Sequence, residues 1–96
     1  MRHFVYILYS ATLDKFYVGQ SGDVAARLEY HNNPIETRKF TVRGGPWELK
    51  LTILCDDKKH AIAVEKFIKR MKSRAFIQKV LIDEKLQSDI LFKTRT

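Results

Sequence analysis

Two polar side chains occupy positions where the hydrophobic pattern predicts contact with a core. Helical spacing over residues 24–32 puts Arg27 and His31 on the same face as the apolar Leu28. An arginine on such a face needs a carboxylate partner or an anionic ligand, since an unpaired charge is costly to bury. A guanidinium can bind two phosphate oxygens, and an imidazole can exchange a proton near neutral pH. Together, Arg27 and His31 favour a reaction on an anionic substrate. The alternatives are a solvent-reaching Arg27 paired with Glu29 or with a strand carboxylate, and a helix-end hydrogen bond for His31.

A lone acid within a strongly basic segment lies at the border of an apolar helix face. Residues 58–79 contain eight Lys and Arg residues and one acid, Glu65. A helical stripe of apolar residues passes beside it, formed by Ala61, Val64, Phe67, Ile68 and Met71. One interpretation is an i,i+4 ion pair with Lys69, worth roughly a few tenths of a kcal/mol. The other is a carboxylate that holds a hard divalent cation in a field that otherwise attracts phosphate.

Two tyrosines and a glycine lie in a predicted β-hairpin. Residues 3–9 and 16–20 are rich in Val, Ile, Tyr and Phe and are joined by a short polar connection. If these strands pair, Tyr6 and Tyr17 come near each other across the hairpin. Gly19 inside a strand is typical of a bulge or of close approach by another group. The tyrosines could then meet the arginine, the histidine and the glutamate at one site.

The charge of the chain indicates a polyanionic partner. Its 96 residues include 18 Lys and Arg and 11 Asp and Glu, for a net charge of +7. The whole excess lies in residues 58–79, and a localised basic surface is typical of proteins that bind nucleic acid. The alternative is a solvated helix face that only keeps the protein soluble.

Length and composition exclude several classes of protein. The chain fits one domain, assigned to residues 1–96, with a motif core over about 3–85 and a tail over 87–96. A single cysteine, Cys55, excludes an internal disulfide and a cysteine-based zinc site. No apolar run approaches the roughly 20 residues that span a bilayer, and the N-terminus lacks a signal-peptide pattern. We therefore expect a cytoplasmic protein without a membrane partner.

The pattern predicts an α+β chain with the element order ββαβαα. The predicted strands cover residues 3–9, 16–20 and 47–55, the last with alternation at Trp47, Leu49, Leu51 and Ile53. The predicted helices cover residues 24–32, from a cap at Asp56 or Asp57 to about 72, and from a cap at Ser73 to about 86. Residues 33–46 are predicted to form a long basic loop. The tail from Gln87 carries weak signals: Ile90-Leu91-Phe92 is a candidate for packing on the core, and fraying is expected from Lys93.

The hairpin resembles the signature of the GIY-YIG nuclease superfamily, a Gly-Ile-Tyr-like tripeptide followed about ten residues later by Tyr-Ile-Gly. Here Phe4-Val5-Tyr6 is followed, after ten residues, by Tyr17-Val18-Gly19. The family continues with a helix that carries an arginine, matched by Arg27, and a later helix with a metal-binding glutamate, matched by Glu65. The segment from Phe40 to Leu49 also resembles the small stand-alone bacterial members. The resemblance covers about residues 3–85.

The resemblance implies a three-stranded antiparallel sheet flanked by helices, and divalent-metal-dependent hydrolysis of DNA in repair or recombination. It implies one Mg²⁺ or Mn²⁺ ion on Glu65, and Tyr6 as the general base or water-positioning group. A phenol with a pKa of about 10 would need that pKa lowered by Arg27, the metal ion or His31.

The other motif residues have supporting roles by the same resemblance. Tyr17 would orient water or phosphate, and Arg27 would bind the non-bridging phosphate oxygens. The structural members of the two tripeptides are Val5, Val18 and Gly19. Flanking phosphates would be bound without base recognition by Arg38, Lys39, Arg43, Lys69, Lys72 and Arg74.

DNA is the expected partner, with RNA as an alternative. A chain of this length leaves little room for a reader domain, so specificity would come from a protein partner or from DNA shape.

Two other functions stay open. One is a nucleic-acid-binding module that keeps the nuclease fold with little or no catalysis. It is favoured because many family nucleases carry an asparagine beyond the metal-binding glutamate, whereas no asparagine follows Asn33 here. The other is an interaction protein whose basic helix contacts an acidic partner.

Overall fold

The computed structural model describes residues 2–32 and 45–95. The predicted phosphate-binding residues Arg38, Lys39 and Arg43 lie outside these ranges. The strands are β1 (His3–Ser10), β2 (Lys15–Ser21) and β3 (Trp47–Cys55). The helices are α1 (Val24–Asn32), α2 (Lys58–Arg70), α3 (Arg74–Ile82) and α4 (Glu84–Lys93). None of these helices is long and apolar enough to cross a membrane.

The sheet is antiparallel and has the order β2-β1-β3. Because successive residues of the central strand point to opposite faces, β1 is buried on both sides. Val5 and Ile7 pack against α2, α3 and α4 in the larger core cluster. Tyr6 and Leu8 face α1 in a smaller cluster with Trp47. The predicted α+β fold with a three-stranded antiparallel sheet and flanking helices is confirmed.

Side-chain caps fix where the helices begin. The Asp23 carboxylate accepts a hydrogen bond from the Ala26 backbone at 3.0 Å and starts α1. Asp57 caps α2 and Ser73 caps α3 in the same way. Each cap satisfies a backbone N–H that has no partner within its own helix, which typically contributes about 1 kcal/mol. The predicted helix starts are therefore confirmed.

A bulge divides β3 between the two faces of the sheet. Leu51 pairs with Ile7, but the next pair joins Leu49 to Leu8, so Lys50 is an extra residue on β3. Trp47 consequently lies in the cluster under α1, whereas Ile53 lies in the larger core. A strict alternation along the whole strand was expected, and the bulge is the reason that it fails. Leu49 is left 38% exposed.

The C-terminal part differs from the prediction of one helix to about residue 86 and a weak tail. Helix α3 ends at Ile82, and the Asp83 carboxylate accepts from the Leu86 backbone and starts α4. Ile90 of α4 is fully buried in the larger core cluster. The His60 ring bonds to the Leu91 carbonyl at 3.1 Å and ties the end of α4 to the start of α2. The element order therefore has one more helix than predicted.

Candidate active site

The site forms over β2, where Gly19 leaves room for the side chain of Tyr6. Tyr6 pairs with Gly19 across the β1–β2 ladder. A Cβ atom built on Gly19 would lie 2.5 Å from both Cζ and the hydroxyl oxygen of Tyr6, and 3.0 Å from Cε1 of Tyr17. No side chain fits there without moving the tyrosine. The glycine of the second tripeptide therefore makes the space that the tyrosine of the first one occupies.

Tyr6, Tyr17 and His31 form one contact cluster on the α1 side of the sheet. The Tyr6 hydroxyl and His31 Nε2 are 2.9 Å apart. The Tyr17 ring centroid lies 4.6 Å from that of His31 and 6.3 Å from that of Tyr6. Tyr6 and His31 are buried, with 1% and 4% of their surfaces exposed. The structure thus brings these three predicted site residues together.

Burial keeps both members of the Tyr6–His31 pair neutral. Loss of solvation, with a smaller effect of the nearby Arg27 guanidinium, lowers the pKa of His31 to about 4. Burial also raises the pKa of Tyr6, against the lowering effect of Arg27. The lowered tyrosine pKa that the mechanism needs is not found in the free protein, because desolvation outweighs the guanidinium. Among the described residues, His31 Nδ1 has no hydrogen-bond partner.

Arg27 combines solvent access with proximity to the tyrosine. It is exposed on α1, and its guanidinium carbon lies 4.6 Å from the ring centroid of Tyr30, which supports one side of the group. The guanidinium is nevertheless close enough to the Tyr6 hydroxyl to lower the pKa of that phenol. Arg27 therefore presents its charge at the rim of the buried pair, where an anion can reach it.

Glu65 approaches the same tyrosine from the other face of the sheet. It projects from α2, which packs against β2 and β1, and its carboxylate raises the pKa of Tyr6. Lys69, one turn later, lies 5.5 Å from the Tyr17 ring centroid. Side chains of both α1 and α2 thus lie near the Tyr17 ring on the edge strand β2, although the two helices cover opposite faces. The Glu65–Lys69 ion pair considered from the sequence is present at 3.3 Å.

The surroundings of Glu65 fit a metal site in which the protein supplies a single carboxylate. Within residues 2–32 and 45–95, no group of three or more His, Cys, Asp or Glu side chains could hold an ion. Mg²⁺ can instead bind through a single carboxylate, keep several waters and take further oxygens from a substrate phosphate. The Glu65 side chain is 21% exposed and offers such a carboxylate. The donor set therefore fits a weakly held Mg²⁺ or Mn²⁺ ion and does not form a closed protein cage.

A basic groove of about 430 Å³ continues from the site along the outer edge of β2. Its apolar floor includes Phe16 and Ile68, and the basic residues along it are Lys15, Lys69, Lys72 and Arg74. Lys72 is exposed, with a left-handed backbone (φ 46°), in the connection between α2 and α3. The groove gives a phosphate chain a path away from Tyr17.

The structure gives Arg74 a partner within the protein. Its guanidinium lies 2.6 Å from the Asp14 carboxylate and donates to the Asp14 carbonyl at 2.8 Å. The Tyr9 hydroxyl bonds to the same carboxylate. Arg74 thus ties the β1–β2 connection to α3, and its charge is less available to a phosphate than that of Lys72.

Two structural residues of the site were not identified from the sequence. Trp47 is buried and packs edge-on against Tyr17, with ring centroids 6.2 Å apart. Asn32 at the end of α1 accepts from the Trp47 backbone at 2.6 Å and donates to its carbonyl at 3.2 Å. These two hydrogen bonds hold the end of α1 in place beside His31. A tryptophan at a strand start carries no pattern that distinguishes it from a core residue. The motif valines Val5 and Val18 are buried in the larger core.

The geometry agrees with the comparisons with known proteins. Residues 2–79 match the GIY-YIG catalytic domain family. The fold is similar to the solution NMR structure of the UPF0213 protein BH0048 from Bacillus halodurans, with 30% sequence identity, a TM-score of 0.53, and coverage of 84% of this chain and 83% of that chain. A comparison with curated proteins gave no significant match. The nuclease-type fold and the family match over most of the chain identify this protein as a member of the GIY-YIG catalytic domain family.

Proposed function

We propose that this protein is a divalent-metal-dependent endonuclease that hydrolyses DNA phosphodiester bonds, in DNA repair or recombination. The observation that carries the proposal is the buried Tyr6–His31 pair with a solvent-accessible guanidinium at its rim. Hydrolysis of a phosphodiester needs a group to take a proton from water and cations to neutralise the growing charge on the phosphate. Tyr6, His31 and Arg27 are side chains of the types that these tasks require.

In the proposed reaction, Tyr6 and His31 move a proton away from the attacking water. The water gives its proton to the Tyr6 oxygen while the Tyr6 hydroxyl gives its own proton to His31 Nε2, so no free tyrosinate forms. This route avoids the high cost of ionising a buried phenol. It needs the His31 tautomer with the hydrogen on Nδ1. Desolvation is the main cause of the low His31 pKa, and the Arg27 charge adds to it. A bound phosphate would offset the Arg27 charge and so make His31 a better acceptor when substrate is present.

Arg27 and Glu65 would act on the phosphate. Arg27 would bind non-bridging oxygens, and its effect grows as charge develops on them. Glu65 would hold a single Mg²⁺ or Mn²⁺ ion, which when bound would supply Lewis-acid stabilisation of the charge on the phosphate and on the leaving oxygen. As the P–O bond to the leaving group breaks, that oxygen would take a proton from solvent water. Tyr17 would orient the water or the phosphate from beside His31. The groove beyond Tyr17 would bind the flanking phosphates through Lys69 and Lys72.

Nicking of supercoiled plasmid tests the proposal directly. The purified protein is incubated with plasmid and with branched, nicked and single-stranded DNA, each with and without Mg²⁺ or Mn²⁺. We expect metal-dependent cleavage that is lost in Glu65→Gln and falls at least 100-fold in Arg27→Ala, since removal of one transition-state contact commonly costs about 10²–10³ in rate. Binding to DNA should persist in Glu65→Gln, because the substitution removes the one acid of a basic segment.

Two results would count against this assignment. Cleavage by Glu65→Gln with normal metal dependence would show that the ion is held elsewhere. Cleavage by Arg27→Ala at the parent rate would show that this arginine does not meet the phosphate.

The second candidate function is a nucleic-acid-binding module without efficient catalysis. The raised pKa of Tyr6 favours it, since a phenol held in its neutral form is a poor base on its own. In that case the basic groove would bind DNA with steep salt dependence while no DNA of the panel is cut. The same experiment therefore separates the two functions.

A further inference from the structure

Lys69 makes two contacts that connect the predicted metal ligand with the nucleic-acid groove. Its ammonium nitrogen lies 3.3 Å from Glu65 Oε1. The same nitrogen lies 5.5 Å from the ring centroid of Tyr17, within the site. The Lys69 side chain also lines the basic groove, together with Lys72 and Arg74. The positive charge of Lys69 thus lies both beside the Glu65 carboxylate and along the groove.

The Glu65–Lys69 ion pair is weak enough for Lys69 to exchange Glu65 for another anion. The Lys69 side chain is 49% exposed and that of Glu65 is 21% exposed, so water screens their attraction. A glutamate four residues before a lysine on a helix typically changes an equilibrium constant only about twofold. A phosphate in the groove would attract the same ammonium group. The lysine stem is long and flexible enough to serve either partner.

We propose that Lys69 neutralises Glu65 in the free protein and moves to a phosphate when nucleic acid binds, which frees the carboxylate for the metal ion. The inference rests on the proposed function, since it assumes that Glu65 is the metal ligand. Lys69 and the metal ion are competing cations for one carboxylate. Binding of nucleic acid therefore favours binding of the metal, and by linkage the metal favours binding of nucleic acid by the same factor.

Mn²⁺ binding to the free protein tests the first half of this proposal, without reference to cleavage. The free ion is followed by its electron paramagnetic resonance signal as protein is added. Lys69→Met should bind Mn²⁺ about twofold more tightly than the parent protein, because the competing ion pair is removed. Lys66→Met is the matched control, since Lys66 is exposed on the same helix and adjacent helical residues do not face each other. It should change Mn²⁺ affinity much less.

Glu65→Gln separates failure of this proposal from failure of the proposed function. If Glu65→Gln binds Mn²⁺ as well as the parent, the metal assignment of the proposed function is wrong, and the inference falls with it. If Glu65→Gln loses binding while Lys69→Met behaves like Lys66→Met, the metal site stands and the role of Lys69 is wrong. No detectable Mn²⁺ binding by any of these proteins, Lys69→Met included, also overturns the proposal.

A metal-free double-mutant cycle tests the second half. DNA affinity is measured at fixed salt for the parent, Glu65→Gln, Lys69→Met and the double variant. Glu65→Gln should tighten DNA binding because it removes a negative charge and releases Lys69. In the Lys69→Met background, Glu65→Gln removes a negative charge but has no lysine to release. Its gain in DNA affinity should therefore be smaller by at least twofold. An equal gain in both backgrounds overturns the proposed movement of Lys69.

Discussion

Gly19 and Tyr6 face each other across the β1–β2 ladder, and the tyrosine ring occupies the volume that a side chain at position 19 would need. The first tripeptide supplies the hydroxyl and the second supplies the space for it. The contact also fixes the direction of the ring, since it aims the hydroxyl at His31 Nε2. The distance between the two tripeptides in the sequence is thus set by the strand register that brings these two residues opposite each other.

Replacement of Gly19 by alanine should displace Tyr6 and remove activity. The new methyl group would lie 2.5 Å from the Tyr6 hydroxyl and Cζ, and the buried ring has little room to retreat. We expect a loss of about 1–3 kcal/mol in the free energy of unfolding, as for overpacking in a core. We also expect at least a tenfold loss of cleavage. Urea denaturation and plasmid nicking measure the two effects.

The matched control for that substitution is Gly22→Ala. A methyl group at Gly22 would lie 3.5 Å from the Arg2 carbonyl, which is an ordinary contact. This variant should keep both stability and activity. Equal behaviour of the two alanine variants would show that the space over Gly19 has no special importance.

Tyr6→Phe should abolish cleavage while the fold persists. The substitution keeps the ring and removes the hydroxyl that lies 2.9 Å from His31 Nε2, so a water proton has no acceptor in the pair. Loss of the hydrogen bond should cost about 1 kcal/mol of stability. Tyr9→Phe makes the same chemical change on the same strand, outside the site, and should cleave normally. Single-turnover cleavage rates for both variants provide the comparison, and a fully active Tyr6→Phe would exclude the proposed proton route.

The low pKa of His31 should make the fold less stable in acid. Between its unfolded pKa near 6.5 and its folded value of about 4, the unfolded chain binds a proton that the folded protein does not. Stability is therefore lost as the pH falls through this range. The contribution of His31 to the difference between pH 7.5 and pH 4.5 should be on the order of 2 kcal/mol. Urea denaturation at the two pH values measures it.

His31→Gln should reduce that pH dependence, whatever it does to stability at pH 7.5. The same change at His3 serves as the control for loss of a histidine outside the buried cluster. If His31→Gln keeps the full difference between the two pH values, His31 is not the group responsible.

Two basic residues of the groove should respond differently to substitution. Lys72→Ala should weaken DNA binding for all sequences and lower the salt slope by roughly one unit, as expected for one phosphate contact. Arg74→Ala should change the slope less, because its guanidinium is engaged by Asp14. DNA titrations at several salt concentrations give both slopes. An unchanged slope for Lys72→Ala would place the DNA elsewhere.

Local patterns were sufficient to predict the three strands and the starts of the first three helices. They also pointed to Tyr6, Tyr17 and His31, which the structure brings together at the candidate site. Capping residues such as Asp57 and Ser73 have short-range effects that are visible in the sequence, and the structure has them where expected. Asp83 also caps a helix, but it lies within a run of good helix formers, and the pattern therefore favoured one continuous helix.

The features that escaped prediction depend on contacts between distant parts of the chain. The bulge at Lys50 follows from the register of β3 with β1, which no local pattern contains. The ionisation of Tyr6 depends on how deeply the ring is buried: burial raises the pKa of the phenol, whereas the mechanism implied by the resemblance needs a lowered pKa. Similarly, the attachment of Arg74 to Asp14 needs the hairpin connection and α3 to be neighbours in space.

The region that matches the family ends at residue 79, but the unit that folds is longer. Ile90 of α4 belongs to the same buried core cluster as Val64, and His60 holds the end of that helix through the Leu91 carbonyl. Burying an isoleucine side chain typically contributes about 1.5–3 kcal/mol, a large fraction of the stability of a small domain. A segment cut at the family boundary would thus keep Tyr6, Arg27 and Glu65 but lose part of the core that supports them. Grafting this domain onto another protein therefore requires α4 to be carried along.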